Sequence, residues 1–169
     1  MLRELLRPNW MVPGTLAEMP LDVLLEHQVK ALVLDVDRTL LPRRQAVMPE
    51  LALQWLHRAK QQMPIHLLSN NPSRARIGAV ASQLELPFTT AAGKPRRSAL
   101  RRVLQHFDLP AHQVALVGDR LFTDVIAGNR LGLYTVLVKP IDPQGRPCPK
   151  DHLQRLELRL ARWVGTALG

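Results

Sequence analysis

The sequence predicts an α/β fold, three layers with a central parallel sheet, on two observations. Short apolar runs such as Ala31-Leu32-Val33-Leu34 and Val114–Val117 alternate with longer segments of helical periodicity. Strands that are apolar at every position are buried on both faces, which requires helices above and below them. Polar clusters also stand directly after those runs, and parallel sheets bind ligands at the carboxyl ends of their strands.

The elements follow in order. Lys30–Asp35 reads as the first strand, apolar until its acidic end. Pro49–Gln61 reads as a helix, with Leu51, Leu53, Trp55, Leu56 and Ala59 as its apolar positions and Pro49 near its start. Ile65–Leu68 is a short strand that ends at Ser69-Asn70-Asn71. Pro72–Leu84 follows as a helix, with Asn71 as its expected N-cap. Phe88–Ala91 is a weaker strand, and Gly93-Lys94-Pro95 is expected to open a helix running to Phe107. Val114–Val117 is a strand with Gly118-Asp119 at its exit, and Leu121–Leu131 is a helix closed by Gly132. Leu133–Val138 is a further strand, and the Pro/Gly-rich stretch 140–149 is a loop. A last helix, 150–164, carries Leu153, Leu156, Leu160 and Trp163 on one face; core closure is its expected role and a dimer contact the alternative.

Length and composition bound the rest. The 169 residues predict one domain, 1–169, large enough for a real core, and 46% hydrophobic with 22% charged residues fits a folded chain. No apolar stretch approaches the roughly 18–20 residues of a spanning helix. The first residues, Met1-Leu2-Arg3-Glu4-Leu5-Leu6-Arg7, lack the pattern of a signal peptide. The lone Cys148 excludes an internal disulfide and a cysteine metal cluster, so a reducing cytoplasm is expected. A net charge of +9 favours anionic partners: phosphorylated metabolites, acidic lipid or nucleic acid. It equally fits a surface charged only for solubility.

Asp35-Val36-Asp37-Arg38-Thr39 carries the chemistry. Two carboxylates at the end of a buried strand are costly without a cation or a chemical task. Phosphate monoester hydrolysis needs a nucleophile, a proton donor and positive charge on the phosphoryl oxygens. Asp35 suits the nucleophile and Asp37 the general acid/base. Mg²⁺ takes octahedral oxygen ligands, which Asp35, Asp119 and the Asp37 carbonyl can supply. Ser69 offers a hydrogen bond to a phosphoryl oxygen and Lys94 a fixed positive charge. Each residue has a plainer reading by itself: turn, helix cap, first-turn acid or solvated lysine. Together, at four successive strand ends, they converge on one place.

Asp35-Val36-Asp37-Arg38-Thr39-Leu40, Leu68-Ser69-Asn70, Gly93-Lys94-Pro95 and Gly118-Asp119-Arg120-Leu121-Phe122-Thr123-Asp124 resemble the four ordered motifs of haloacid-dehalogenase-type phosphatases. The stretch Gly118–Val138 resembles their YqeG-like subgroup (subfamily IIIA), related to phosphatidylglycerophosphate phosphatases. The resemblance implies a Rossmann-like core, Asp35 as nucleophile and Asp37 as acid/base. It implies Ser69, with Asn70 beside it, and Lys94 as phosphate binders, and Asp35, Asp37 and Asp119 as ligands of Mg²⁺. Thr39 and Asp124 would support them. Arg38 departs from the usual Asn or Gly and is expected to face solvent or substrate.

Neither the roughly thirty residues between Thr39 and Ser69 nor the shorter gap to Lys94 holds a cap domain, which needs on the order of 50 residues. An open mouth suits a phosphate on a large body. Residues 1–14, with Leu2, Leu5 and Leu6 among Arg3 and Arg7 and then Trp10, are expected to lie at a membrane surface, or else to pack on the body. The function expected is dephosphorylation of phosphatidylglycerophosphate by a cytoplasmic, peripherally bound enzyme. The alternatives are a phosphatase for a soluble metabolite or nucleotide, and a basic RNA- or ribosome-binding protein with a residual site. The low aromatic content, 4%, disfavours the last. Oligomeric state is left open.

Overall fold

A computed structural model describes residues 1–149 and 151–168. Six strands form one sheet: β1 (Trp10–Met11), β2 (Ala31–Leu34), β3 (Ile65–Leu68), β4 (Phe88–Thr89), β5 (Val114–Gly118) and β6 (Tyr134–Leu137), in the order β1-β6-β5-β2-β3-β4. Every pairing is parallel. The chain leaves β2 toward β3 and β4, then crosses back to β5 on the other side. The β2/β5 boundary is therefore the switch point where a ligand crevice opens.

Alternation within the strands divides the core. Leu32, Leu34, Leu67, Val117 and Val136 pack with Trp55, Leu56 and Ala59 of α3 (Glu50–Gln62) and Ile77 and Val80 of α4 (Arg74–Ser82). Ala31, Val33, Val114 and Leu116 pack on the other face with Leu100 and Val103 of α5 (Ser98–Phe107) and Ala127 of α6 (Ile126–Asn129). This is the three-layer α/β/α architecture expected. Trp55 is fully enclosed and its indole N–H donates to the Met19 carbonyl (2.7 Å), so burying it leaves no polar atom unpaired. Between Thr39 and Ser69 the chain forms a loop, α3 and β3, and between Ser69 and Lys94 α4 and β4 with their loops, with no inserted cap.

Several local expectations are corrected. The helix after β3 begins at Arg74, and its N-cap is Ser73, whose Oγ accepts from Arg76 N (3.2 Å). Asn71 instead accepts from Ser73 N (2.9 Å), one turn too early to cap. Gly93-Lys94-Pro95 is a loop, and α5 begins only at Ser98. The segment after β5 starts as a wide π-helical turn, Leu121–Val125, before α6.

The N-terminus takes the packed alternative. After α1 (Leu2–Leu5), Leu6 and Val12 are buried and Trp10–Met11 form the edge strand beside β6. Asn9 and Val12 N–H groups donate to Thr135 and Leu137 carbonyls, which closes an otherwise open sheet edge. From Leu6 on, the segment is thus packed as part of the body, while Met1 and Leu2 stay exposed.

The last helix, α7 (His152–Trp163), is turned around relative to expectation; Lys150, the first residue of its predicted span, lies outside the described residues. Leu153, Leu156, Leu160 and Trp163 face outward, and Gln154, Glu157 and Ala161 face the body. The reason is polar demand. Gln154 Nε2 donates to the Asp119 and Val138 carbonyls (2.7 and 2.8 Å), and Glu157 accepts from Leu121 N (2.8 Å) and from Arg120 Nε and Nη2 (2.8 and 2.6 Å). Those loop groups would be buried unsatisfied against leucines.

Candidate active site

The structure brings Asp35, Asp37, Ser69, Asn70, Lys94 and Asp119 to the lining of one cavity of about 150 Å³ at the β2/β5 switch point. Asp124 and Thr39 lie buried behind it. Lys94 is the hub. Its ammonium, 2% exposed, donates to Asp35 Oδ1 (2.7 Å), Asp124 Oδ1 (2.6 Å) and the Leu68 carbonyl (3.0 Å). Burial lowers the pKa of a lysine, but the Asp124 and Asp35 carboxylates outweigh it and hold this one above its ordinary value. Lys94 therefore stays charged. Gly93 makes its inward turn possible through a left-handed backbone (φ 68°).

Asn70, at the lining of the cavity, also braces the Lys94 loop. Its Oδ1 accepts from Lys94 N (2.8 Å) and its Nδ2 donates to the Lys94 carbonyl (3.0 Å). Both amide ends clamp the Lys94 backbone, and the second Nδ2 hydrogen has no partner among the described residues, so Asn70 keeps one donor at the cavity lining. Ser69 Oγ accepts from Asn71 N (3.0 Å) and lies 3.5 Å from Asp37 Oδ2. Thr39 Oγ1 donates to Asp35 Oδ2 (3.2 Å), so both Asp35 oxygens are oriented.

Carboxylate oxygens of Asp35, Asp119 and Asp124 all lie within 4.8 Å of one another, buried. Burial and then repulsion from Asp35 push Asp124 up to about 6, with Lys94 pulling the other way. Burial, Asp35 and Asp124 together raise Asp119 well above the ordinary carboxylate range. Asp119 Oδ2 is buried without a hydrogen-bond partner. An all-oxygen set that repels itself and leaves one oxygen orphaned fits a hard divalent cation. Asp124 reaches this position because the π turn folds it under Gly118: a Cβ at 118 would stand 2.2 Å from Asp124 Oδ2. Only glycine admits that approach.

Four contacts here have no signature in the sequence. Arg76 of α4 reaches across to pair with Asp37 Oδ1, and its Nε donates to the Gln45 carbonyl (3.1 Å). Arg120 and Glu157 form an ion pair (2.6 Å) that fixes the start of the π turn. Arg38 pairs with Asp151, the N-cap of α7 (2.5 Å), while still lining the cavity, a structural partner the sequence did not announce. Its left-handed backbone (φ 67°) lets its N–H bond the Leu41 carbonyl (2.7 Å) and aims its side chain at α7. The catalytic cavity opens past Asp37 into a vestibule of about 440 Å³ lined by Arg38, Arg43, Arg44, Arg76, Arg120 and Leu153. A wider open cavity, about 890 Å³, lies away from the chemistry beside α1 and β1, and Asn129 there is spent on the Glu4, Leu5 and Arg7 carbonyls.

The family described as HAD-hydrolase-like matches residues 91–140, the stretch from the Lys94 loop to β6. The "Probable phosphatase YqeG" of Bacillus subtilis is 32% identical over 143 residues, covering 83% of this chain and 81% of that protein. The chain belongs to the haloacid-dehalogenase-type phosphatases. The enzyme is also 25% identical to the "Phosphatidylglycerophosphatase GEP4, mitochondrial" of Saccharomyces cerevisiae, across 96% of this chain and 91% of that one. Among solved structures, a HAD-superfamily hydrolase of subfamily IA from Geobacter sulfurreducens superposes with a TM-score of 0.54 at 17% identity, over 78% of this chain and 99% of that one. That likeness concerns the fold.

Proposed function

We propose that residues 1–169 form one Mg²⁺-dependent phosphomonoesterase that removes the terminal phosphate of phosphatidylglycerophosphate at the cytoplasmic face of a membrane. The observation that carries this reading is the shape and charge of the site. A cavity of about 150 Å³ takes little beyond a phosphoryl group, and it opens into a vestibule lined by five arginines and one exposed-rim aspartate, Asp37. Arg43 and Arg44 in that vestibule have no carboxylate partner within salt-bridge distance among the described residues. A leaving group that itself carries a phosphodiester matches such a lining; a neutral alcohol does not. The likeness to a phosphatidylglycerophosphatase over nearly the whole chain supports the same substrate.

In the first step an Asp35 carboxylate oxygen bonds to phosphorus while the bond from phosphorus to the ester oxygen breaks. Asp37 gives its proton to the departing alkoxide, and Asp35 holds the phosphoryl group as an acyl phosphate. In the second, Asp37 takes a proton from water, whose oxygen bonds to phosphorus, and Asp35 is released with inorganic phosphate. Arg76 and Ser69 hold Asp37 on the leaving-group side. Thr39 and Lys94 keep both Asp35 oxygens in line. Mg²⁺ held by Asp35, Asp119 and the Asp37 carbonyl, with Asp124 behind, would neutralise charge on the phosphoryl oxygens.

The test is phosphate release from phosphatidylglycerophosphate, glycerol 3-phosphate, nucleoside monophosphates and sugar phosphates, with and without Mg²⁺. The lipid should lead by kcat/KM, and Asp35→Asn should abolish turnover. A soluble metabolite that beats the lipid refutes the substrate. Full activity of Asp35→Asn refutes the mechanism.

A further inference from the structure

The outward half of α7 carries four large exposed apolar side chains on one short helix. Leu153, Leu156 and Leu160 are 40–52% exposed and Trp163 is 86% exposed. At 100° per residue these four fall within one quadrant of the helix. Arg155, Arg159 and Arg162 fall in the adjoining quadrant and are exposed as well. Among the described residues of α7 and its N-cap the acids are Asp151 and Glu157, both buried, turned inward and paired with Arg38 and Arg120. Apart from His152, the side chains that α7 leaves exposed are thus apolar or cationic.

That pattern selects one occupant. A second copy of this face would bring arginines against arginines, with no carboxylate among the described residues of the outward face to meet them. An anionic bilayer accepts both halves: leucine and tryptophan enter the headgroup boundary and arginines meet lipid phosphates. Position argues the same way. Leu153, at the start of the stripe, lines the arginine-rich vestibule, so α7 begins at the lip of the catalytic mouth. We propose that α7 is the docking element of the enzyme and lies along the surface of an anionic membrane with its Leu153–Trp163 stripe inserted. The inference deepens the lipid-substrate reading and rests on it for its purpose, but its evidence is separate.

The experiment is vesicle flotation with the full chain, using phosphatidylcholine vesicles with and without phosphatidylglycerol. The wild type should float with the anionic vesicles and release them as salt is raised. The triple variant Leu156→Ser/Leu160→Ser/Trp163→Ser should lose at least about tenfold in affinity. Replacing Arg155, Arg159 and Arg162 by Gln should lose on the order of a hundredfold. Both should keep wild-type turnover of para-nitrophenyl phosphate, which shows that they are folded. Wild-type protein that ignores anionic vesicles, a triple variant that binds them undiminished, or a wild-type dimer that the triple variant dissolves would each overturn the proposal. Intact vesicle binding in an enzyme that prefers a soluble phosphate upholds the docking and removes only the substrate reading.

Discussion

Lys94→Met leaves the shape of the site nearly unchanged and removes its only buried cation. Asp35, Asp119 and Asp124 then stand within 4.8 Å of one another with no ammonium between them, and the Leu68 carbonyl loses its donor. Breaking a buried ion pair by deleting one partner costs about 3–5 kcal/mol. In a domain of this length each kcal/mol lowers the melting temperature by about 2–4 °C, which places the variant about 6–20 °C below wild type. The assay is thermal unfolding followed by circular dichroism, in EDTA and again with MgCl₂. A cation binding the folded state alone adds about 2.7 kcal/mol at 100 times its dissociation constant, so Mg²⁺ should recover part of the loss. A variant melting within about 2 °C of wild type in EDTA would refute the account of Lys94 as the counter-charge of this cluster.

Further expectations concern single positions. Gly118→Ala places a Cβ against the Asp124 carboxylate and should cost about 1–3 kcal/mol in urea unfolding and most of the phosphatase activity. Glu157→Ala strands Arg120 and the Leu121 N–H; unfolding in urea should show a loss of about 3 kcal/mol, and Glu157→Gln, which keeps an acceptor, a smaller one. His66, in β3, is held down to about 4 by burial and then by His106. The unfolded chain takes up that proton near pH 6.5, the folded protein only near pH 4, so stability is full above 6.5 and falls as pH drops through the window. Allowing for solvent screening, the loss by pH 4 is on the order of 2 kcal/mol, and His66→Gln should remove that part of the pH dependence.

The strand ends were legible because their cost is local. An apolar run followed by aspartate or by a polar pair such as Ser69-Asn70 is a conflict within a few residues, and β2, β3 and β5 sit where those conflicts placed them. Ile65–Leu68 is correct to the residue. The orientation of α7 was not legible, because an apolar stripe at helical spacing ordinarily faces a core. Here Gln154 and Glu157 are drawn inward by the Asp119–Leu121 loop, a demand that exists only once the sheet has formed. Arg76 shares that limit: nothing near it in the chain announces Asp37 as its partner. Asn70 was placed correctly in space, but the clamp of its amide on the Lys94 backbone was not legible, being decided by the approach of the β3 and β4 exits.

The bonds from Gln154 to the Asp119 carbonyl and from Glu157 to the Leu121 N–H tie α7 to the same short loop that carries the Asp119 carboxylate. A rigid link of this kind obliges reciprocity. If settling α7 on a surface alters how tightly the aspartates hold their ion by some factor, the ion must alter surface affinity by that same factor. Titrating Mg²⁺ against vesicle partitioning measures that coupling free energy directly, with no substrate and no turnover.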